Sequence, residues 1–188
     1  RMIAKGNYLL NLVREYLDLA RIEQGSLALN ADSKTDFIEQ VIDPVLDILQ
    51  SQMESQRVRL EKDLPEGPLE VECDPDLMKI VMVNLVGNAI KYGNEEGSIR
   101  LGAKKEKDEL RVSVWNEGPG FPPSQRSRLF RKFSRIQTDV LMQRKGTGVG
   151  LYSTWRIVQL HGGRIHAQSE EGQWAEFSFE IPQPLTKM

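Results

Sequence analysis

The first stretch of the chain spaces its apolar residues at helical rather than strand intervals. Ile3, Leu10 and Leu17 recur every seven residues, and Gly6, Val13, Ala20 and Leu27 interleave with them. Leu9 and Tyr16 widen the stripe, which fits a helical bundle better than a narrow two-helix seam. The alternative is a helix folded back on its own domain. Gly25 and the polar run to Asp36 break the pattern. The domain boundary is therefore expected near Ala28, dividing the chain into 1–28 and 29–188.

A second helix is predicted from about Asp36 to Ser55, with Phe37, Val41, Val45, Ile48 and Leu49 as its buried side and Pro44 as a possible kink. Alternation in RVRLE (Val58, Leu60) and LEVEC (Leu69, Val71, Cys73) predicts two short strands. A third helix follows to Tyr92, with Asp74 as N-cap and Pro75 in its first turn. SIRLGAK and ELRVSVW form a hairpin pattern, and so do RIHAQS and WAEFSFEI. Between these pairs lies a glycine-, proline- and base-rich stretch with little periodicity. It leads into a fourth helix, from about Val149 to Leu160, stopped by Gly162 and Gly163. Strands and helices mix without regular alternation, so the expected class is α+β, with helices layered on a mixed sheet.

Composition changes this picture little. With 188 residues, 39% hydrophobic and 28% charged, the chain is long enough for one filled core plus an appended element. The net charge of −2 gives no global case for nucleic acid, and no such partner is expected. Cys73 is the only cysteine, which excludes an internal disulfide and suits a reducing, cytoplasmic setting. No apolar run approaches the ~18 residues of a membrane span, and RMIAKGNYLL lacks a signal peptide's apolar core. The start without methionine suggests a piece of a larger parent, which is free to be a membrane-bound sensor.

The third helix carries the first chemical signal. It is apolar on nearly every side (Leu77, Ile80, Val81, Val83, Leu85, Val86, Ala89, Ile90), so it is expected to be buried. Yet Asn84 and Asn88 sit one turn apart, and Lys91 and Tyr92 continue their face. Buried amides need partners, which loop backbone or a ligand supplies equally well. Further on, Gly146, Thr147, Gly148, Val149 and Gly150 lead directly into the fourth helix, whose Leu151, Trp155 and Val158 share a face. Backbone N–H groups at such a helix start hold phosphate oxygens. A glycine-rich turn alone is weak. This one is neither a P-loop, lacking Gly-Lys-Ser/Thr, nor a Rossmann turn, lacking a preceding strand. Asn116-Glu117-Gly118-Pro119-Gly120 reads alone as a tight turn, and Leu129-Phe130-Arg131-Lys132-Phe133-Ser134-Arg135 as a loop with core anchors and a solvated basic edge.

Together and in this order, NLVGNAIKYG, NEGPG, LFRKFSR and KGTGVGL resemble the N, G1, F and G2 boxes of histidine-kinase catalytic domains. NYLLNLVREYLDLARIEQGSL similarly resembles the second helix of that family's dimerisation and phosphotransfer domain. The resemblance implies a two-layer sandwich of Bergerat type, with a mixed sheet, covering helices and ATP between, plus an N-terminal helix. It implies a protein histidine kinase that passes the γ-phosphate of ATP to a histidine on its own dimerisation domain, in cis or trans. From there the phosphoryl group goes to a response regulator receiver domain. By the same resemblance Asn88 ligates Mg2+, Asn84 assists, Lys91 neutralises phosphate and Tyr92 lies against the nucleotide. Gly118 and Gly120 admit adenine. Phe130 and Phe133 anchor a lid carrying Lys132, Arg135 and Lys145, and Gly146, Thr147, Gly148, Val149, Gly150 and Leu151 wrap the phosphates. The N-terminal helix belongs to a dimer bundle, so a homodimer through it is expected.

Two departures from the family pattern stand out. The adenine-reading aspartate falls at Asn116, a neutral acceptor, for an expected loss of roughly 1 kcal/mol. On that footing aspartate at 116 is expected to preserve or tighten adenine binding. The only histidines, His161 and His166, lack the acid-flanked helical context of a phosphoacceptor and read as structural. No catalytic residue is therefore assigned, and self-phosphorylation by this chain alone is not expected. Two other functions compete. One is an ATP-hydrolysing relative of the gyrase, mismatch-repair or heat-shock chaperone kind, disfavoured because Asn84 stands where those place a glutamate. The other is a nucleotide-binding scaffold without transfer activity.

Overall fold

The computed structural model describes residues 29–31, 34–134, 136 and 147–185. The N-terminal helix expected over 1–28 lies outside these, as do Arg135, Lys145 and Gly146.

The main sheet has five strands in the order β2-β4-β5-β7-β6. These are β2 (Arg59–Asp63), β4 (Ser98–Glu106), β5 (Glu109–Glu117), β6 (Arg164–Glu170) and β7 (Trp174–Pro182). Only β2 and β4 run parallel; both predicted hairpins pair antiparallel, Leu101 opposite Val114 and Ala167 opposite Phe177. Alternation decides which face is covered. Ile99, Leu101, Leu110, Val112, Val114, Phe179 and Ile181 point into the core and are at most 2% exposed. Their neighbours point to water, where the Arg100 guanidinium lies 3.9 Å over the Trp115 ring. Such a polar face needs no second cover, so the molecule has two layers.

Three helices supply the second layer: α1 (Asp43–Ser55), α2 (Pro75–Tyr92) and α3 (Gly150–Leu160). The approach to α1 differs from expectation. Residues Lys34–Asp36 form a strand, β1, that pairs antiparallel with β3 (Glu70–Glu72). A wide π-helical turn, Ile38–Ile42, then precedes α1. Pro44 sits in the first turn of α1, where its missing N–H costs nothing. The changed winding turns Ile42 and Leu46 inward and leaves Ile48 63% exposed, so Ile48 is not a core residue.

The start of α2 is as predicted. Asp74 Oδ1 accepts from the N–H groups of Asp76 and Leu77, both at 3.1 Å. Its other carboxylate oxygen accepts from Asn30 N–H at 2.9 Å, tying down the incoming chain. Asp74's own N–H donates to His161 Nε2 at 3.1 Å, and His161 Nδ1–H donates to Ile157 O at 2.8 Å. His161 is 2% exposed with both nitrogens bonded, whereas His166 is exposed on the outer face of β6. Nearby burial pushes the Cys73 thiol up to about 12, so it stays protonated and unreactive at neutral pH.

Candidate functional site

The third predicted helix is not buried all round. Met78, Val81, Met82, Leu85, Val86 and Ala89 face the core, while Asn84, Gly87, Asn88, Lys91 and Tyr92 lie along a half-exposed side. The buried-amide argument for Asn84 and Asn88 is corrected accordingly. Both residues are partly exposed, and neither amide bonds another described side chain or backbone group.

At one end of this face stands the start of α3. A Cβ on Gly150 would lie 3.0 Å from Asn84 Oδ1 and 3.4 Å from its Cγ. Glycine at 150 therefore lets the N–H-rich end of α3 come within reach of the asparagines. Just before it, Val149 is 4% exposed and its N–H donates to Thr147 Oγ1 at 3.3 Å, which folds the glycine turn on itself. Leu151 packs half-buried under the turn, joining the main core to a satellite cluster. The inward face of α3 is Ser153, Thr154, Ile157 and Val158, rather than a Leu151-Trp155-Val158 stripe. Trp155 instead packs on Tyr152, ring centroids 5.7 Å apart and tilted by 48°.

At the other end lies the turn after β5. The strand runs two residues past Trp115, so Asn116 is paired with Ile99 and Ala175 and is 4% exposed. Its Nδ2 donates to Glu117 O at 3.0 Å, and that carbonyl also accepts from Asn94 N–H at 2.9 Å. One of the two side-chain N–H donors is thereby used inside the turn, and Oδ1 remains as an acceptor. A Cβ on Gly118 would meet Tyr92 O at 2.9 Å, Asn116 Nδ2 at 3.0 Å and Gly93 Cα at 3.1 Å. Only glycine lets this turn close on the end of α2. Gly93, the last residue of the NLVGNAIKYG motif, is part of the same contact, and its place at a helix end is the sequence signal for it.

Gly120 (φ +59°) and Gly148 (φ +74°) adopt backbone that side chains disfavour. Gly120 packs on the β6–β7 turn, where Ser169 Oγ accepts from Phe121 N–H at 2.9 Å. Gly148 packs on the backbone of Phe133 and Ser134, bringing the two loop motifs together. The pair of phenylalanine anchors resolves into one. Phe130 sits edge-on to Phe177 at 6.5 Å within a cluster containing Phe121 and Leu129. Phe133 is 59% exposed at φ +58° and belongs to neither core cluster among the described residues. Lys91 Nζ lies 4.7 Å from the Tyr92 ring centre, and Lys132 Nζ 5.6 Å from that of Phe133. Among the described residues, Phe133 and Ser134 meet the glycine turn at Gly148, and the glycine turn and the turn after β5 border the open face of α2. It is about 12 Å long from Asn84 to Tyr92, at 1.5 Å per residue, with amide oxygens and a helix N-terminus at one end and a buried acceptor at the other. No described helix is long and apolar enough to cross a membrane.

The family described as Histidine kinase-, DNA gyrase B-, and HSP90-like ATPase matches residues 73–185. The chain is 33% identical over 180 residues to the circadian input-output histidine kinase CikA of Synechococcus elongatus, covering 95% of this chain and 24% of that protein. It is 34% identical over 172 residues to the sensor protein KdpD of Escherichia coli, covering 92% and 18%. The chain thus spans about a quarter or less of these curated relatives. The solved catalytic domain of histidine kinase ThkA superposes with a TM-score of 0.71 at 29% identity, covering 84% of this chain and 97% of that one. Full-length ShkA in complex with AMPPNP gives 0.82 at 27% identity, covering 98% and 38%.

Proposed function

The chain belongs to the histidine kinase-, DNA gyrase B- and HSP90-like ATPase family and carries the ATP-binding catalytic domain of a sensor histidine kinase, and from that premise we propose how its residues handle the nucleotide. The observation that carries the reading is the contact of Gly150 with Asn84, which sets an anion-binding helix start beside the half-exposed amides of α2.

Magnesium suits this donor set, since it takes hard oxygens and few protein ligands beside phosphates. Asn88 holds it through the amide oxygen with Asn84 assisting, and when bound it supplies neutralisation of phosphate charge. Gly146, Thr147, Gly148, Val149, Gly150 and Leu151 wrap the phosphates with backbone N–H groups. Lys91, Lys132 and Arg135 add positive charge around them. Asn116 Oδ1 accepts from the adenine amine, Gly118 and Gly120 keep the backbone out of the base's way, and Tyr92 flanks the nucleotide. Phe130 anchors the loop between. Catalysis consists of positioning and charge compensation.

The γ-phosphate goes to a histidine on the dimerisation domain, of which residues 1–28 form the last part. The parent passes it to a response regulator in the cytoplasm. ThkA, to which the chain is 26% similar in sequence identity, was solved with the response regulator protein TrrA. The apolar stripe of Ile3, Leu10, Val13 and Leu17 supports a homodimer through the N-terminal helix. The test is to add, in trans, a dimerisation domain bearing the acceptor histidine. Label should move from ATP to that histidine, while the chain alone shows background self-phosphorylation and ATP turnover. Vigorous steady-state hydrolysis by the chain alone would point to the ATPase reading.

A further inference from the structure

Two of the contacts between α2 and α3 fix how the helices lie along each other. Asp74 meets His161 at one end, and Asn84 meets Gly150 at the other. The helices therefore run antiparallel, with ten residues of α2 alongside eleven of α3, about 15 and 16.5 Å at 1.5 Å per residue. The glycine end of α3 meets α2 through a packing contact, Gly150 on Asn84, with Leu151 set against the core beside it. The opposite end carries a directional one: His161 Nε2 accepts the Asp74 N–H, and Nδ1–H donates to Ile157 O one turn back on α3. The ring is thus fixed to its own helix by one nitrogen and to α2 by the other. Because a helix is stiff along its axis, a slip at His161 is passed undiminished to Gly150.

Resting on the nucleotide-binding reading above, we infer that His161 is a positioning residue for the phosphate end of the site: it sets the axial register of α3 on α2 and so holds the glycine turn beside Asn84. The surroundings fit that role. His161 is 2% exposed and Asp74 7%, so a lost bond there is not made good by water. Burial lowers the ring's proton affinity, which keeps Nε2 an acceptor, against the opposing pull of the Asp74 carboxylate, the one charged group acting on it among the described residues. Protonation would turn Nε2 into a donor facing another donor. Asp74 itself is unsuitable for a test, because its carboxylate also caps α2 and holds Asn30 N–H.

The experiment is calorimetric titration of the whole chain with Mg-ADP, well below the melting temperature, for the parent, His161→Phe and His161→Gln. Phenylalanine fills the space without an acceptor, whereas glutamine restores one toward Asp74. His161→Phe should bind about tenfold more weakly, a coupling of ordinary size between sites, and His161→Gln should regain most of the loss. A folded His161→Phe that melts lower but binds Mg-ADP like the parent would reduce His161 to packing. If His161→Phe does not fold, the decision passes to pH. Parent affinity should drop several-fold relative to His161→Gln across the pH range in which NMR sees the His161 ring titrate, and parallel profiles would overturn the assignment. A parent that binds no nucleotide at any pH would instead remove the premise, and the inference with it.

Discussion

One side of α2 is lined by Met78, Val81, Met82, Leu85, Val86 and Ala89, each at most 3% exposed, while the other presents Asn84, Asn88, Lys91 and Tyr92 half-exposed. Both sides share one backbone, one N-cap and one set of helical hydrogen bonds. The difference between them is what each packs against. The first side is pressed on the sheet and α1; the second is bordered by glycines whose missing Cβ atoms leave its polar tips accessible. A helix can thus be fixed rigidly by one face so that the other holds ligand groups with little freedom to lose.

That division is open to attack from either side. Met82→Ala should cost about 3 kcal/mol, the usual price of emptying a fully buried site, and denaturant unfolding will read it directly. Nucleotide affinity measured in the folded fraction should stay nearly unchanged. A Met82→Ala chain that kept its stability but lost nucleotide would show that the two faces are not separate in their effects.

A smaller effect is expected at Asn116, where fold and site meet. The sequence alone suggested that aspartate would serve there at least as well. The structure changes the expected outcome, because Nδ2 donates to Glu117 O and a carboxylate would set a second acceptor against that carbonyl. Asn116→Asp should lose about 2 kcal/mol of stability, within the range for a buried acceptor deprived of its partner, and should not tighten adenine binding. Thermal melts with Mg-ADP calorimetry test both parts. Tighter binding at unchanged stability would mean that the amide is not pinned as described.

The smallest effect is a pH dependence. Burial lowers the folded-state proton affinity of His161 below its ordinary 6.5. Between that lowered value and 6.5 the unfolded chain binds a proton that the folded chain does not. Its contribution to stability is therefore complete above about pH 6.5 and is lost as pH falls toward the folded value. Chemical denaturation from pH 7.5 downward should show this decline in the parent and less of it in His161→Gln. Identical slopes would detach His161 from the effect.

Features written in local spacing were legible in the sequence. Asp74-Pro75 marked the start of α2 because capping needs only neighbouring residues. The two hairpins followed from alternation, and the glycine motifs from their order. What escaped depends on contacts between distant parts of the chain. β1 is three residues long and becomes a strand only by pairing with β3, 36 positions further on. The exposure of Ile48 follows from a π-turn that simple 3.6-residue counting does not contain. The half-exposure of Asn84 and Asn88 was hidden by the apolar composition around them. Phe133 and Phe130 look alike in sequence, and only the satellite cluster separates them. The His161–Asp74 bond spans 87 positions.

All of these outcomes depend on the proposal that the open face of α2 binds Mg-nucleotide through Asn88. Calorimetric titration of the chain and of Asn88→Ala with ADP, each with and without magnesium, tests it most directly. We expect saturable, magnesium-dependent binding to the parent, with the magnesium dependence abolished in Asn88→Ala and the melting curve of the free protein unmoved. Equal affinity and equal magnesium dependence in the two proteins would contradict it.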